Sequence, residues 1–333
     1  MEIRRFGLQD NLLSLAEHSK TPIAATLLDK SVIRETHPLY IGLYERAMGD
    51  AEVTSYVEDS DCVILLGTFM TDVNISIYTA NLDRAKCIYA TSEQLRIHHH
   101  YYHGVMLGDF IDQLSTRRPS PAEREIAEGL NAKSRPFTID RDSKITIGRM
   151  VELLNEQIDD ETIAICDIGD SLFADTKLRT RDRTDFISAS YYTSMEFSVP
   201  AALGAHVARP NDCVLVICGD GPFQMTGMEL STIVRRGFAP VIRVLNNGGY
   251  GTERLLHEGK WNYNEVHSWA YHKLPEVLRG DKGYDVSTDG EFDDALTNAG
   301  LDRTGMSRIH TRLQRHDANR PLRRLAEHLG DRV

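Results

Sequence analysis

The chain has no CxxC pair, no surplus of basic charge, no apolar run of membrane-spanning length, no internal repeat and no low-complexity tract. Each absence removes a class of function. Lysine and arginine total 38 against 49 acidic residues, a net charge of −11, so a nucleic-acid backbone is not the expected partner. The Arg-rich tail RTGMSRIHTRLQRHDANRPLRRLAEHLGDRV interleaves its cations with acids and apolar residues, and reads as a strand and an amphipathic helix. The cysteines, Cys62, Cys87, Cys166, Cys213 and Cys218, are odd in number and mostly lie beside apolar runs. Buried thiols in a reducing compartment are the expected state. The opening residues MEIRRFGLQD show no apolar h-region, so the chain is expected to be cytoplasmic and without a membrane span.

The length of 333 residues suggests two domains, and 41% hydrophobic with 26% charged residues is ordinary for a globular fold. The runs PIAATLL (22–28), DCVILLG (61–67) and KCIYA (86–90) alternate with helical patterns, which predicts an α/β unit with a parallel sheet. The stretch 115–137 holds three prolines and many charges and marks a linker, set at 119–139 between domains at 1–118 and 140–333. A second α/β series follows. A helix is predicted over 145–158, strand and loop over 161–170, a helix over 196–208, and strand and turn over 212–221. A helix over 225–237 offers Met225, Met228, Leu230 and Ile233 to a buried face and stops at Gly237, and 240–247 closes with another strand and turn. The fold class is therefore α/β, two domains with parallel sheets flanked by helices.

Two turns in the second half fall at predicted strand ends. Gly219-Asp220-Gly221 is followed, 24 residues later, by Asn246-Asn247. In open parallel sheets ligands bind at the C-terminal ends of strands. Asp220 and Asn247 offer hard oxygen ligands suited to magnesium, which fills its remaining positions with phosphate and water. Gly219 and Gly221 let backbone approach a phosphate closely, beside a helix N-terminus. Either turn alone is commonplace. The pair, one strand–helix–strand unit apart, reads as a magnesium–diphosphate site.

This GDG-x24-NN pattern resembles the thiamine diphosphate signature. The stretches TPIAATLLDKSVIRETHPLYIGLY, LLGTFMTDVNISIYTANLD and NNGGYGTERLLHEGKWNYNEVHSWAYHKLPEVL resemble the pyruvate and indolepyruvate decarboxylase family of 2-oxo acid decarboxylases. The resemblance covers essentially the whole chain. It implies a Rossmann-like middle domain and a diphosphate-binding domain of the PP type. It also implies thiamine diphosphate and Mg2+ as cofactors. The metal ligands would be Asp220, Asn247 and the Gly249 carbonyl. Gly169 and Asp170 would form a turn near the diphosphate, with Gly219, Gly221, Tyr250 and Gly251 close by. Thr193 would hold the aminopyrimidine through its carbonyl, next to Ser194, and Met195 would wedge the cofactor into its bent shape. On the residues alone Met195 reads as core. Glu253 would be catalytic; if enclosed by apolar surface beside an anionic intermediate, its pKa should rise. The implied chemistry is non-oxidative decarboxylation of a 2-oxo acid, acyloin-type carboligation, or both.

The chain departs from the family pattern in three ways. It resembles only the middle and diphosphate domains, and the family's pyrimidine-binding domain normally supplies an activating glutamate and a histidine pair. The expectation is a split lyase. This chain is its large subunit, a separate small subunit brings the pyrimidine-binding domain, and the assembly is a dimer of heterodimers. A non-catalytic cofactor-binding or regulatory subunit and a truncated decarboxylase stay open. Pro222 stands where relatives keep a small residue with a free N–H, which removes a phosphate donor. Glu196 stands where pyruvate-type relatives have glycine, and if buried it would need a partner.

Other motifs carry less. The run HHHYYH (98–103) is expected to be structural or surface, neither a metal site nor the missing histidines. LGTFMTD lacks the glycine spacing of a pyrophosphate turn, so no nucleotide is expected in the first half. Trp261, Tyr263, Trp269 and Tyr271 could frame a pocket, with packing the favoured role.

Overall fold

The structure is a computed structural model. It describes residues 1–74, 76, 79–117, 119, 126, 137–181, 186–257, 259–280, 282–301 and 306–330. The chain divides into two compact units, Met1–Ser134 with Thr180–Arg183, and Arg135–Arg179 with Thr184–Val333. The predicted linker, 119–139, lies mostly outside the described residues. Thr180, inside the span predicted for the second domain, belongs to the first unit, where its N–H donates to Glu35 Oε2 at 3.1 Å.

The first unit begins with helices α1 (Glu2–Arg5) and α2 (Gln9–Ser19). Strands β1 (Ile23–Ala25) and β2 (Tyr40–Leu43) follow, then α3 (Ala51–Glu58) and β3 (Val63–Leu66). Strands β4 (Cys87–Ala90), β5 (Gln94–Ile97) and β6 (His100–His103) precede α4 (Leu107–Arg117). β1 pairs β2 in one parallel sheet, and β3 to β6 form another in sequential order. Only part of this is parallel as predicted. β3 and β4 are parallel, but β5 and β6 add antiparallel strands. The reason is local. His98 adopts a left-handed φ of 53° in a tight turn, so the chain reverses without a crossover helix. The run HHHYYH is thus a hairpin end, and its strand β6 is exposed throughout. The core of this unit gathers Leu12, Leu15, Tyr40, Leu95, Leu107 and Ile111.

The second unit starts with α5 (Ile147–Gln157), whose N-terminus Thr146 caps by accepting from the Arg149 N–H at 3.3 Å. Its Ile147, Met150, Val151, Leu153 and Leu154 fall on one buried face. Then come β7 (Thr162–Cys166), α6 (Asp170–Asp175), β8 (Phe186–Ser188), α7 (Ser198–Ala208) and β9 (Cys213–Gly219). α8 (Asp220–Thr226), α9 (Leu230–Arg235), β10 (Val241–Asn246), α10 (Gly251–Leu256) and α11 (Leu274–Val277) follow. The unit ends with β11 (Lys282–Val286), α12 (Asp289–Leu301), β12 (Ser307–Arg312) and α13 (Arg320–Gly330). Six strands form one all-parallel sheet in the order β11-β12-β10-β9-β7-β8. The runs TIAIC, CVLVIC and VIRVL are apolar almost without a break because helices cover both faces of these central strands. The exception in the last run, Arg243, is buried with its guanidinium 5.2 Å from the Phe292 ring centre.

The helix predicted over 225–237 is not continuous. α8 and α9 are separated by a 3-10 turn at Gly227–Glu229, which rotates the phase. Leu230 and Ile233 are buried as expected, while Met225 and Met228 are exposed. Gly227 is needed at that turn, because a Cβ there would meet the Phe223 ring at 2.4 Å. Gly237 ends the segment at φ 70°.

Candidate cofactor site at the strand ends of the second unit

β7, β9 and β10 are neighbours, so the turns after them converge. The first carries Asp167, Gly169 and Asp170, the second Gly219, Asp220 and Gly221, the third Asn246 to Gly251. Asn247 Nδ2 donates to Asp170 Oδ2 at 3.4 Å. Gly251 sits against both, since a Cβ there would lie 2.1 Å from Asp170 Oδ2 and 2.7 Å from Asn247 Nδ2. Gly221 is just as constrained, with the Tyr250 ring 2.5 Å from where its Cβ would be.

Asp220 is 1% exposed and Asn247 8% exposed. Asp220 Oδ2, Asn247 Oδ1 and Asp170 Oδ1 are each buried with no hydrogen-bond partner. Leaving such an atom unpaired costs about 1–3 kcal/mol. Three of them on neighbouring strand-end turns form an oxygen set with unmet demand, which a hard dication satisfies. The titrations agree. Burial pushes the Asp220 carboxyl up to about 6, against the Gly221, Gly248 and Gly249 N–H groups that favour its charged form. Burial and then the Asp317 charge push Asp170 up to about 7, with Arg254 and Asn247 pulling the other way. Both carboxylates therefore lack a positive partner strong enough to offset desolvation. The donor set fits Mg2+, with Asp220 and Asn247 as side-chain ligands and Asp170 alongside.

Sequence reasoning missed the residues that hold this pocket in shape. Arg254, next to Glu253, is nearly buried and donates to the Asn247 carbonyl at 3.2 Å, Gly248 at 2.5 Å and Asn264 at 3.1 Å. It fixes the loop from inside. Gly249, at φ 147°, must be glycine there, because a Cβ would fall 1.9 Å from the Asn264 carbonyl. Asp167, 1% exposed, is the second omission. Its Oδ1 accepts from the Glu196 N–H at 3.1 Å, and its Oδ2 accepts from the Ser198 N–H at 3.0 Å and Oγ at 2.7 Å. The DIGD turn and the segment carrying Met195 are thereby tied together. A signal for Asp167 existed: an acid directly after an apolar strand, at the sheet edge where ligands bind.

Asn246 belongs to a third support. Its Oδ1 accepts from the Gly248 N–H at 3.1 Å, so its Nδ2 faces Ser268 Oγ at 2.7 Å and His310 Nε2 at 2.8 Å. His310 Nε2 must then accept, which assigns the proton to Nδ1, 3.1 Å from Asp285 Oδ1. Burial pushes His310 down to about 4, so it is neutral at pH 7. His272, Asp285 and His310 bring three possible ligand atoms within 4.8 Å of one another. Arg312 occupies both Asp285 oxygens, while His310 Nδ1 and His272 Nδ1 are buried without a hydrogen-bond partner.

The other candidate residues are more open. Gly169 has φ 95° and caps α6. Thr193, at φ 58°, and Ser194 are exposed, and Met195 is half-buried rather than core. Glu196 is exposed, so the buried-carboxylate problem does not arise; its backbone is the issue, with φ 77° in the region that favours glycine. Pro222 lies in the first turn of α8, where an N–H has no intrahelical acceptor, so the helix tolerates it. Glu253 is not enclosed. Its side chain is 48% exposed, 3.6 Å from His257. Of the aromatic residues that follow, Tyr271 is fully buried edge-on to Phe223, while Trp261 and Tyr263 are exposed and stacked on each other.

Comparison with known proteins identifies the family of both halves. Residues 167–311 match the family described as thiamine pyrophosphate enzyme, C-terminal TPP binding domain, and residues 1–115 match thiamine pyrophosphate enzyme, central domain. The chain is 28% identical to an indole-3-pyruvate decarboxylase of Azospirillum brasilense, over 90% of this chain and 54% of that protein. It is 27% identical to an alpha-keto-acid decarboxylase of Mycolicibacterium paratuberculosis, over 96% of this chain and 57% of that one. With pyruvate decarboxylase 4 of Arabidopsis thaliana the identity is 28%, over 90% and 50%. The chain thus spans about half the length of the curated relatives it matches.

Proposed function

The chain belongs to the thiamine pyrophosphate enzymes, carrying their central and C-terminal TPP-binding domains, and on that premise we propose that it is the large subunit of a split lyase acting on 2-oxo acids. The family cofactor is thiamine diphosphate, with Mg2+ as its usual metal partner. The observation that carries the proposal is the trio of buried, unpartnered oxygens on Asp170, Asp220 and Asn247. Asp220, Asn247 and the Gly249 carbonyl would hold Mg2+ and the diphosphate against the β9 and β10 turns. When bound, the cofactor supplies an electron sink for decarboxylation. The chain's own part is binding and orientation. Arg254 and Asp167 lock the two loops, Thr193 and Met195 receive the ring end, and Glu253 delivers or accepts a proton near the substrate.

The exposure of that ring end supports a partner. Thr193, Ser194 and Glu253 are open on this chain; Tyr191 and Tyr192, next to Thr193, and Met225 and Met228, flanking the Thr226 whose hydroxyl donates to the Glu196 carbonyl, are large residues more than half exposed. A polypeptide with the pyrimidine-binding domain would cover them, exclude water and enclose Glu253. A dimer of heterodimers is the assembly we propose, with aldehyde or acyloin as product. None of the five cysteines forms a disulfide, which supports the cytoplasm as its compartment.

The test is a native mass spectrum of the tagged chain purified from its own host, followed by 2-oxo acid turnover on what is recovered. A stoichiometric second polypeptide of domain size and cofactor-dependent carbon dioxide release are expected. Self-multimers alone would remove the split arrangement. Cofactor binding without turnover in the complex would make the chain a binding subunit instead.

A further inference from the structure

β11 is an edge of the six-stranded sheet and pairs with β12, where Asp285 stands directly opposite His310. Their side chains therefore share one face. The 3-10 turn Tyr271–Lys273 packs against the same strand. Gly283 permits that approach, since a Cβ there would fall 1.6 Å from the His272 carbonyl. The turn lays the His272 ring parallel to that of His310, with centres 5.8 Å apart. Two imidazoles and a carboxylate, from three separate segments, thus converge at the sheet edge.

Their spacing is close to that of a coordination shell. A tetrahedral ion with bonds of about 2.0–2.1 Å holds its donors about 3.3 Å apart. His310 Nδ1 lies 3.1 Å from Asp285 Oδ1, and His272 Nδ1 lies 3.8 Å from Asp285 Oδ2. Both nitrogens are buried without a hydrogen-bond partner, and the His310 side chain is only 4% exposed. Burial also keeps that ring neutral at pH 7, the form in which imidazole ligates. His272 and Asp285 are partly exposed, which gives an ion a way in. Arg312 takes two of the roughly four lone-pair sites of the Asp285 carboxylate and leaves the others. Its own side chain is 60% exposed, so it can move into water as an ion arrives.

We propose that His272 Nδ1, His310 Nδ1 and one Asp285 oxygen form a second metal site, which takes a borderline dication such as Zn2+ and loosens the cofactor loop when filled. Two imidazoles and one carboxylate suit Zn2+, whereas Mg2+ prefers an all-oxygen shell. A water completes the four positions. The link to the loop runs through His310. Its single proton sits on Nδ1 while Nε2 accepts from Asn246 Nδ2. A metal on Nδ1 moves that proton to Nε2, so the Asn246 amide must turn over and accept through Oδ1. Ser268 Oγ, 2.7 Å from the same end of the amide, can then donate to it. The turned amide no longer accepts from the Gly248 N–H, a bond that closes the turn carrying Asn247. The metal site stands apart from the lyase reading, and only its effect on cofactor affinity rests on it.

The test uses the purified full chain, stripped of metals, held in saturating Mg2+ and titrated with Zn2+ or Co2+. One tight site per chain is expected. X-ray absorption at zinc should show two imidazole nitrogens at about 2.0 Å, and Co2+ should give the visible bands of a four-coordinate ion. His272→Ala and Asp285→Asn, each with unchanged circular dichroism, should weaken Zn2+ binding at least tenfold. Arg312→Ala should bind Zn2+ several-fold tighter, because the competing cation is gone. With Zn2+ bound, thiamine diphosphate affinity measured by calorimetry should fall several-fold, and by linkage the cofactor should weaken Zn2+ by the same factor. Full-strength Zn2+ binding in both weakened variants would overturn the site and hand the ion to the exposed His-rich hairpin at 98–103. A metal shell without imidazole would overturn it as well. Zn2+ held by these residues with cofactor affinity unchanged would overturn the link to the loop. Failure of the cofactor to bind with or without Zn2+ would remove the lyase reading and that link together, and leave the metal site.

Discussion

The two units carry opposite kinds of unmet demand. In the second, an open six-stranded parallel sheet presents three buried oxygens without partners at adjacent strand ends. In the first, β1 and β3 belong to separate sheets and both line a cavity of about 420 Å3. One deficit is electrostatic and local, and a dication with phosphates answers it. The other is a cavity lined mainly by apolar side chains. A complete sheet can thus hold an incomplete site at its strand ends.

Removing the electrostatic deficit gives the largest expected effect. Asp220→Ala should weaken Mg2+-dependent thiamine diphosphate binding by 100-fold or more, read by titration calorimetry. Asp220→Asn, which keeps an oxygen but not the charge, should fall between. Equal affinity of Asp220→Ala and the parent would break the comparison. Gly249→Ala comes next. Its Cβ would overlap the Asn264 carbonyl, so the loop must shift; metal affinity should drop at least tenfold while the far-UV spectrum is kept.

The pH dependence sharpens the comparison further. Asp220 and Asp170 titrate at about 6 and about 7 when folded, above their ordinary 3.8. The folded state then binds more protons than the unfolded one. Their contribution to stability is most favourable at low pH and is lost as pH rises from about 4 to 7. Mg2+ and cofactor relieve that loss, so the thermal shift they produce should grow across this window, by about 5 °C or more. A shift constant with pH would show that the two carboxylates do not face the cation. The His310 contact with Asn246 behind the loop is worth less. His310→Ala should raise the Mg2+ requirement several-fold with little change in turnover at saturating Mg2+, whereas a purely structural role would lower stability alone. The smallest effect is expected at Glu196, where Glu196→Gly should raise the melting temperature by about 2–4 °C by relieving the left-handed backbone.

Much of the second unit was legible because its signals are local. Uninterrupted apolar runs such as CVLVIC require burial on both faces, and GDG and NN fall directly at their ends. The strand assignments at β7, β9 and β10 and the convergence of Asp220 with Asn247 follow from that spacing. The failures were equally physical. Met225 and Met228 were placed inward because a helical period was carried through Gly227, where a 3-10 turn changes the phase. Arg254 and Asp167 were passed over because a charged side chain beside a turn usually faces water. Here each reaches across to another segment, and sequence spacing does not encode that.

The sequence by itself pointed to a magnesium–diphosphate site through hard oxygens and glycines at two strand ends, and the family resemblance added thiamine. Periodicity likewise determined the α/β class. Only the tertiary structure decided which oxygens lack partners, that Asp170 joins Asp220 and Asn247, that Glu253 lies open on this chain, and that β5 turns back antiparallel on β4. The physical reason is the same in each case. Which atoms a residue can offer is written in its type, but whether those atoms are satisfied depends on neighbours brought from far along the chain.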